Sequence, residues 1–229
     1  MSGLANEIGA MQSTCKDFSV LATFSENHDN PRFASLTQDM SLARNIIAYT
    51  ILGDGIPIIY EGQEQHYNAL GGSNDPYNRE AIWYSGYNTA APLYTHVAAL
   101  NQIRNQAIYM DSGYTTSKTS VIYTDTSTIA LKKGTTGKQV VAVLTNLGAG
   151  GASYTLTLKN TGYVANQKLV EILTCTSVTA DGSGNIAVPM ASGLPRVYYP
   201  QTAIQGSGIC GSLSGRSAEA DTGDCVNTF

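Results

Sequence analysis

The chain predicts an α/β segment followed by an all-β segment, and three observations carry that reading. Up to about residue 110, short apolar runs alternate with helical stretches. Beyond it, short β-branched runs recur roughly every 10 to 15 residues, separated by turns rich in Gly, Asn and Thr. At 229 residues there is room for one large domain or two small ones.

In the first part, residues 20–24 form an apolar run of strand length and 39–52 predict a helix, with Asp39 as an acid at its start. Residues 56–60 predict a second buried strand and 92–105 a second helix. Such a β-α-β-α order makes parallel strands, which are covered on both faces by helices in a doubly wound sheet or a closed barrel. Two strands cannot meet that requirement alone. In the second part, strands are predicted at 120–124, 128–132, 139–145, 153–158, 168–172, 186–190 and 196–199. Alternation and turn spacing there argue for an antiparallel sandwich able to fold by itself. Residues 211–229 carry Gly and Ser without periodicity and are expected to be a flexible tail or linker.

Composition excludes several function classes. Acidic residues number 17 against 13 basic ones, a net charge of −4, so no basic stripe exists for nucleic acid. Charged residues are 13% and hydrophobic ones 42%, which excludes disorder from charge excess. The longest apolar stretch, 46–52, contains Tyr49 and Thr50 and is far short of a bilayer span of about 20 residues. Residues 1–12 show no secretory signal pattern. Tyr occurs 14 times against 4 Phe and 1 Trp, and amphipathic rings of this kind suit hydroxyl-rich ligands. The four cysteines, Cys15, Cys175, Cys210 and Cys225, form no CxxC pair and have no His spaced for zinc. Cys175 closes one β-like segment and Cys210 follows another, which suits a disulfide worth roughly 3 to 4 kcal/mol. Cys15 either pairs with Cys225 or remains a thiol.

Three polar clusters could carry chemistry. Residues 25–32, SENHDNPR, directly follow a buried strand, where ligands bind in α/β folds. Glu26, His28 and Asp29 are candidates there, against a plainer role in helix capping and turns. Strand alternation would put Glu26 and His28 on one face, with Asn27 and Asp29 on the other. Residues 60–67, YEGQEQHY, follow the second strand, so two strands deliver polar ends to one rim. Glu61 and Glu64 have the competing task of satisfying loop backbone groups. In residues 74–80, NDPYNRE, Asp75 and Arg79 would either fork to ligand hydroxyls or pair with each other.

The segments FSENHDNPRFAS, GIPIIYEGQEQHY and GGSNDPYNREAIW, in that order, together with the ending GLPRVYYP, resemble the C-terminal part of fungal α-amylases of glycoside hydrolase family 13. The resemblance runs from about Cys15 to Cys210. It implies the last two β/α units of a (β/α)8 TIM barrel over residues 1–110 and a C-terminal antiparallel β-sandwich, amylase domain C, over 111–210. It also implies that His28 binds sugar at the cleavage subsite and that Asp29 stabilises the oxocarbenium-like transition state there. Asp75 and Arg79 would bind glucan at a more distant subsite. By the same resemblance Cys175 pairs with Cys210, while Cys15 has its partner upstream. The nucleophilic Asp, the acid Glu and the calcium ligands are expected before residue 1, so this chain is expected to hold no metal or cofactor of its own and to be inactive alone.

The implied partners are starch or malto-oligosaccharides, with the remaining barrel as a further one; nucleic acid and membrane are not expected. The family is extracellular, although no export signal is read in residues 1–12. The competing readings are a non-catalytic glucan-binding or interaction module, and a truncated or decayed gene product. As a barrel remnant, the first 110 residues should be the more fragile part, with proteolysis leaving a fragment that starts near Asp111 or Ser112.

Overall fold

The computed structural model describes residues 1–72 and 74–212. Helix α1 (Ser2–Thr14) comes first, then β1 (Ala22–Thr23), the short α2 (Phe33–Leu36), α3 (Met40–Leu52), β2 (Ile56–Pro57) and α4 (Pro92–Met110). Asp39 starts α3 as expected: its carboxylate accepts from the backbone N–H of Ser41 at 2.8 Å and of Leu42 at 3.2 Å. Pro92 begins α4, where its missing N–H costs nothing. Ile47, Ala48, Ile51 and Leu52 of α3 pack with Leu93, Leu100, Ile103 and Ala107 of α4.

The strand-rich part holds β3 (Ser120–Thr124), β4 (Thr128–Lys133), β5 (Val140–Thr145), β6 (Tyr154–Leu158), β7 (Lys168–Glu171), β8 (Thr176–Thr179), β9 (Ile186–Met190) and β10 (Arg196–Pro200). All of its pairings are antiparallel. A six-stranded sheet in the order β3-β4-β5-β10-β7-β8 faces the two-stranded β6-β9 sheet. Alternation assigns each residue to a layer. Val141 and Val143 of β5, Ala130 of β4, Leu169 of β7 and Tyr198 of β10 pack against Leu158, Ile186, Val188 and Met190. Their neighbours Val140, Ala142, Leu144, Ile129, Leu131, Val170, Val197 and Tyr199 point the other way, into the core shared with α3 and α4. The central sheet is therefore covered on both faces, by helices on one and by a hairpin-like pair on the other. Self-sufficiency of the strand-rich half thus has a cost: separated from the helices, one whole apolar face of its main sheet would meet water.

The first half departs from its expected outline. The strands expected at 20–24 and 56–60 shrink to a two-residue parallel pair, Ala22 with Ile56 and Thr23 with Pro57. Val20, Phe24, Ile56 and Ile58 are exposed rather than buried. Helix α4 runs five residues past its expected end because Ala107 still faces the core. Helix α1 and strand β8 were not expected. The former buries only Ile8, and the latter is a Thr- and Ser-rich edge strand with little burial.

Cys175 and Cys210 form the expected disulfide, their Cα atoms 5.3 Å apart. Cys15 is unpaired among the described residues, and Cys225 lies outside them. Of the segment expected as a tail, Gly211 and Ser212 close a turn on Gly208 and Ile209, and the remainder lies outside the described residues.

Candidate active-site rim

Beyond β1 the chain leaves the strand at once, and a turn rather than strand alternation sets the side-chain directions. Asn27 is the pivot: its side-chain oxygen accepts from the backbone N–H of Asp29 at 3.1 Å and of Asn30 at 2.9 Å. Asn78, 1% exposed, holds the same loop from the other side by donating to the carbonyls of His28 at 3.0 Å and Asn30 at 2.9 Å. His28 and Asp29 consequently point outward together, with His28 Nε2 3.4 Å from Asp29 Oδ1. Glu26 turns inward and is 5% exposed. The expected grouping of Glu26 with His28, and of Asn27 with Asp29, is therefore corrected.

The inward group is a lock beneath the rim. Arg32, 1% exposed, donates from Nε to Glu80 Oε2 at 2.8 Å and from Nη1 to the Glu61 carbonyl at 2.7 Å, and pairs with Glu26 Oε2 at 3.4 Å. Its guanidinium also lies 4.5 Å from the centre of the Tyr60 ring. The remaining oxygens of the two acids are used as well: Glu26 Oε1 accepts from Phe33 N–H and Glu80 Oε1 from Ala69 N–H. Burial pushes the Glu26 carboxyl above its ordinary value in spite of the Arg32 charge. These two acids join the loops after both strands and have no oxygen left for a ligand. Glu61 and Glu64 take the plainer role, accepting from the backbone N–H of Ile82 at 2.9 Å and of Gly62 at 3.0 Å.

Arg79 connects the separated motifs. Its Nε is 3.2 Å from Asp75 Oδ1 and its Nη2 is 3.8 Å from Asp29 Oδ1. His28, Asp29, Arg79 and Asp75 thus form one exposed, continuous polar row. Beside it opens a cleft of about 320 Å³ lined by His28, Tyr60, Glu61, Arg79, Glu80 and Trp83. Sequence reasoning placed Tyr60 in a rim cluster without a role of its own and missed Trp83 as a rim residue. The signal was present in Trp83, the sole Trp of the chain, which is 62% exposed. No cluster of three or more His, Cys, Asp or Glu able to hold a metal occurs among the described residues. No chemical step is routed through the calcium implied by resemblance.

Parallel strands flanked by helices, polar residues gathered at their exits and an antiparallel sandwich packed behind are the architecture of the end of a β/α barrel joined to a C-terminal sheet domain. The α-amylase catalytic domain family matches residues 1–133, and the α-amylase domain C family matches residues 121–218. The chain belongs to the α-amylase family and holds a C-terminal portion of it. It is 58% identical to α-amylase 1 of Lipomyces kononenkoae over 92% of this chain and 33% of the relative. With α-amylase 1 of Schwanniomyces occidentalis the identity is 49%, over 91% of this chain and 40% of the relative. The solved α-amylase of Malbranchea cinnamomea superposes with a TM-score of 0.86 at 50% identity, covering 92% of this chain and 43% of that one. The chain therefore spans roughly a third to two-fifths of the length of these enzymes. A more distant α-amylase, from Geobacillus thermoleovorans and solved with acarbose, shares the fold at 20% identity and a TM-score of 0.68.

Proposed function

We propose that this chain supplies the sugar-gripping side of an α-amylase-like glycosidase that hydrolyses internal α-1,4-glucosidic bonds of starch with retention. The observation that supports this most is the continuous row His28–Asp29–Arg79–Asp75, in which two sequence motifs meet through one guanidinium. Each member offers what a pyranose presents a partner for. Asp29 and Asp75 accept from ring hydroxyls, Arg79 donates in a fork, and His28 donates from its imidazole. A carboxylate at Asp29 also favours positive charge developing at the sugar ring, which is the stabilising role proposed for it. Trp83 and Tyr60 border the same cleft and give sugar faces an aromatic surface.

On this reading the 229 residues alone bind glucan without turning it over. Retention needs two free carboxyl groups about 5 to 5.5 Å apart, one as nucleophile and one as acid/base. Around this cleft Glu26 and Glu80 are committed to Arg32 and backbone amides, and Glu61 to Ile82 N–H. Asp29 and Asp75 remain on the rim, and both are paired with Arg79 in the gripping row rather than set aside as a nucleophile and an acid/base. The intact disulfide supports an oxidising, extracellular setting.

A glucan-binding module built on the sandwich is the weaker reading. Tyr114 and Tyr163 are buried, and Tyr123 and Tyr154 pack against the sandwich core, so these rings are spent on packing. The test is retardation of the full chain in a starch-containing gel, with reducing ends followed in parallel. Retardation without hydrolysis, weakened several-fold by Asp29→Asn, is expected. Sustained hydrolysis by the wild-type chain, or its unretarded migration, would overturn the proposal.

A further inference from the structure

A cavity of about 300 Å³, which shares no lining residue with the cleft beside the sugar rim, lies between the helices and the strand-rich layer. Its polar walls are Arg44 of α3, Thr95 and His96 of α4, Thr174 from the turn between β7 and β8, and Arg196 of β10. No Asp or Glu lines it. Two guanidinium groups, one from each half of the chain, therefore face one space without an acid between them.

The cations are poorly compensated from outside the cavity too. Arg44 Nε is closed off from solvent and has no hydrogen-bond partner, and Arg44 enters no ion pair among the described residues. Arg196 donates from Nε to the Pro189 carbonyl at 2.9 Å and keeps Nη1 at 4.0 Å from Glu171 Oε2. Glu171 is itself occupied, accepting from the backbone N–H groups of Leu173, Thr174 and Val197 and from the Thr174 hydroxyl. A buried guanidinium N–H with no acceptor is destabilising, and such groups in native proteins answer to a bound water, ion or ligand. An unpartnered Arg44 Nε, joined in one lining by a second guanidinium whose acid stands 4.0 Å away and outside the cavity, selects an anion.

We propose that this cavity binds a small tetrahedral oxyanion of the phosphate type, clamped between Arg44 and Arg196. Guanidinium groups offer parallel N–H donors matched to such oxygens, and 300 Å³ leaves space for the anion with its remaining waters. Because the two arginines come from different halves of the chain, the anion ties α3 to β10 and stabilises the folded arrangement by mass action. Free phosphate and a phosphate ester carried by a sugar share this chemistry.

The full chain is titrated calorimetrically with inorganic phosphate and with glucose 6-phosphate, and its Tm is followed in phosphate and in chloride at equal ionic strength. One saturable site is expected, weakened about tenfold or more by Arg44→Gln and less by Arg44→Lys. Tighter binding of the ester identifies a sugar-borne phosphate, and equal or weaker binding identifies the free ion; both uphold the site. Should the variants not fold, a rise in wild-type Tm with phosphate over chloride still supports it. Absence of saturable binding up to about 20 mM, binding unaltered in folded Arg44→Gln, or no phosphate-specific Tm rise would each refute it. The Asp29→Asn chain should bind phosphate normally, which keeps this result independent of the glucan reading.

Discussion

The two halves of the chain treat their apolar surface differently. Among the described residues, 15 large hydrophobic side chains are left exposed, of which 13 lie at or before Tyr109 and two, Leu147 and Val164, in the strand-rich half. In the latter, each strand of the main sheet sends alternate residues into two covered layers. In the former, β1 and β2 pair with each other over two residues and leave Phe24, Ile56 and Ile58 in solvent. A closed barrel gives every strand two neighbours and fills its interior with such side chains. Phe24, Ile56 and Ile58 thus sit beside a parallel pair with no further strand neighbour among the described residues, whereas the main sheet of the second half is covered on both faces.

What joins the halves is polar as well as apolar, and breaking it should produce the largest effect. Asp54, between α3 and β2, accepts from Lys133 Nζ at 2.6 Å, from the Thr119 backbone N–H at 2.9 Å and hydroxyl at 2.8 Å, and from Gln12 Nε2 at 2.6 Å. Both members of the ion pair are buried, at 1% and 2% side-chain exposure. Burial pushes the Asp54 carboxyl up, but the donors, Lys133 first, outweigh it and hold it below its ordinary 3.8. Lys133→Ala leaves that charge buried and unpaired and should cost about 3 to 5 kcal/mol in urea unfolding. Both halves should be lost in one coincident transition. A loss below about 1 kcal/mol, or two separate transitions, would mean that the halves are held by apolar packing alone.

A second effect of intermediate size sharpens the same contrast through pH. His96 on α4 is 8% exposed, and its Nε2 lies 3.0 Å from the Arg44 carbonyl. Burial lowers its pKa from 6.5 to about 4, so the folded chain refuses a proton that the unfolded chain takes up. The contribution of this histidine is full above pH 6.5 and is lost as pH falls towards 4, amounting to about 3 kcal/mol. Asp54, depressed below 3.8, is still ionised across that window. Glu26, raised by burial above 4.5, works in the opposite direction at its lower end. Urea midpoints of wild type and His96→Gln, compared from pH 7 down to 4.5, isolate the histidine because Glu26 is common to both. The variant should show the flatter profile, and parallel profiles would show that His96 takes up its proton without opening the helix–sheet contact.

How much of this was legible beforehand also divides at residue 110. Seven of the eight later strands were legible because period-two burial and turn residues leave a clear trace, as in Ile186, Val188 and Met190 of β9. The missed β8, Thr-Ser-Val-Thr, is an edge strand whose pairing with β7 comes from backbone hydrogen bonds that no side-chain pattern announces. In the first half, apolar runs were legible but their burial was not, since burial depends on neighbouring strands rather than on the run itself. At the rim, His28, Asp29, Asp75 and Arg79 could be named from their motifs. The inward turn of Glu26 could not, because it is imposed by Asn27, Asn78 and Arg32, and two of these are remote in sequence or belong to the lock that Glu26 completes.

The smallest expected effect on stability separates the rim from the lock beneath it. Arg79 is 45% exposed in its side chain and its partners Asp75 and Asp29 are 64% and 68% exposed, so water screens both contacts. Exposed pairs of this kind contribute about 0 to 1 kcal/mol, and Arg79→Ala should shift the urea midpoint barely at all. Arg32, buried beneath the rim, has no such freedom, because its charge holds Glu26, Glu80 and the Glu61 carbonyl together. If Arg79 is there for glucan, its removal should weaken retardation in a starch gel several-fold while leaving unfolding unchanged. Equal loss of stability and retardation would instead make Arg79 a structural strut, since a residue whose worth lies in a ligand hydroxyl has nothing to lose when no ligand is present.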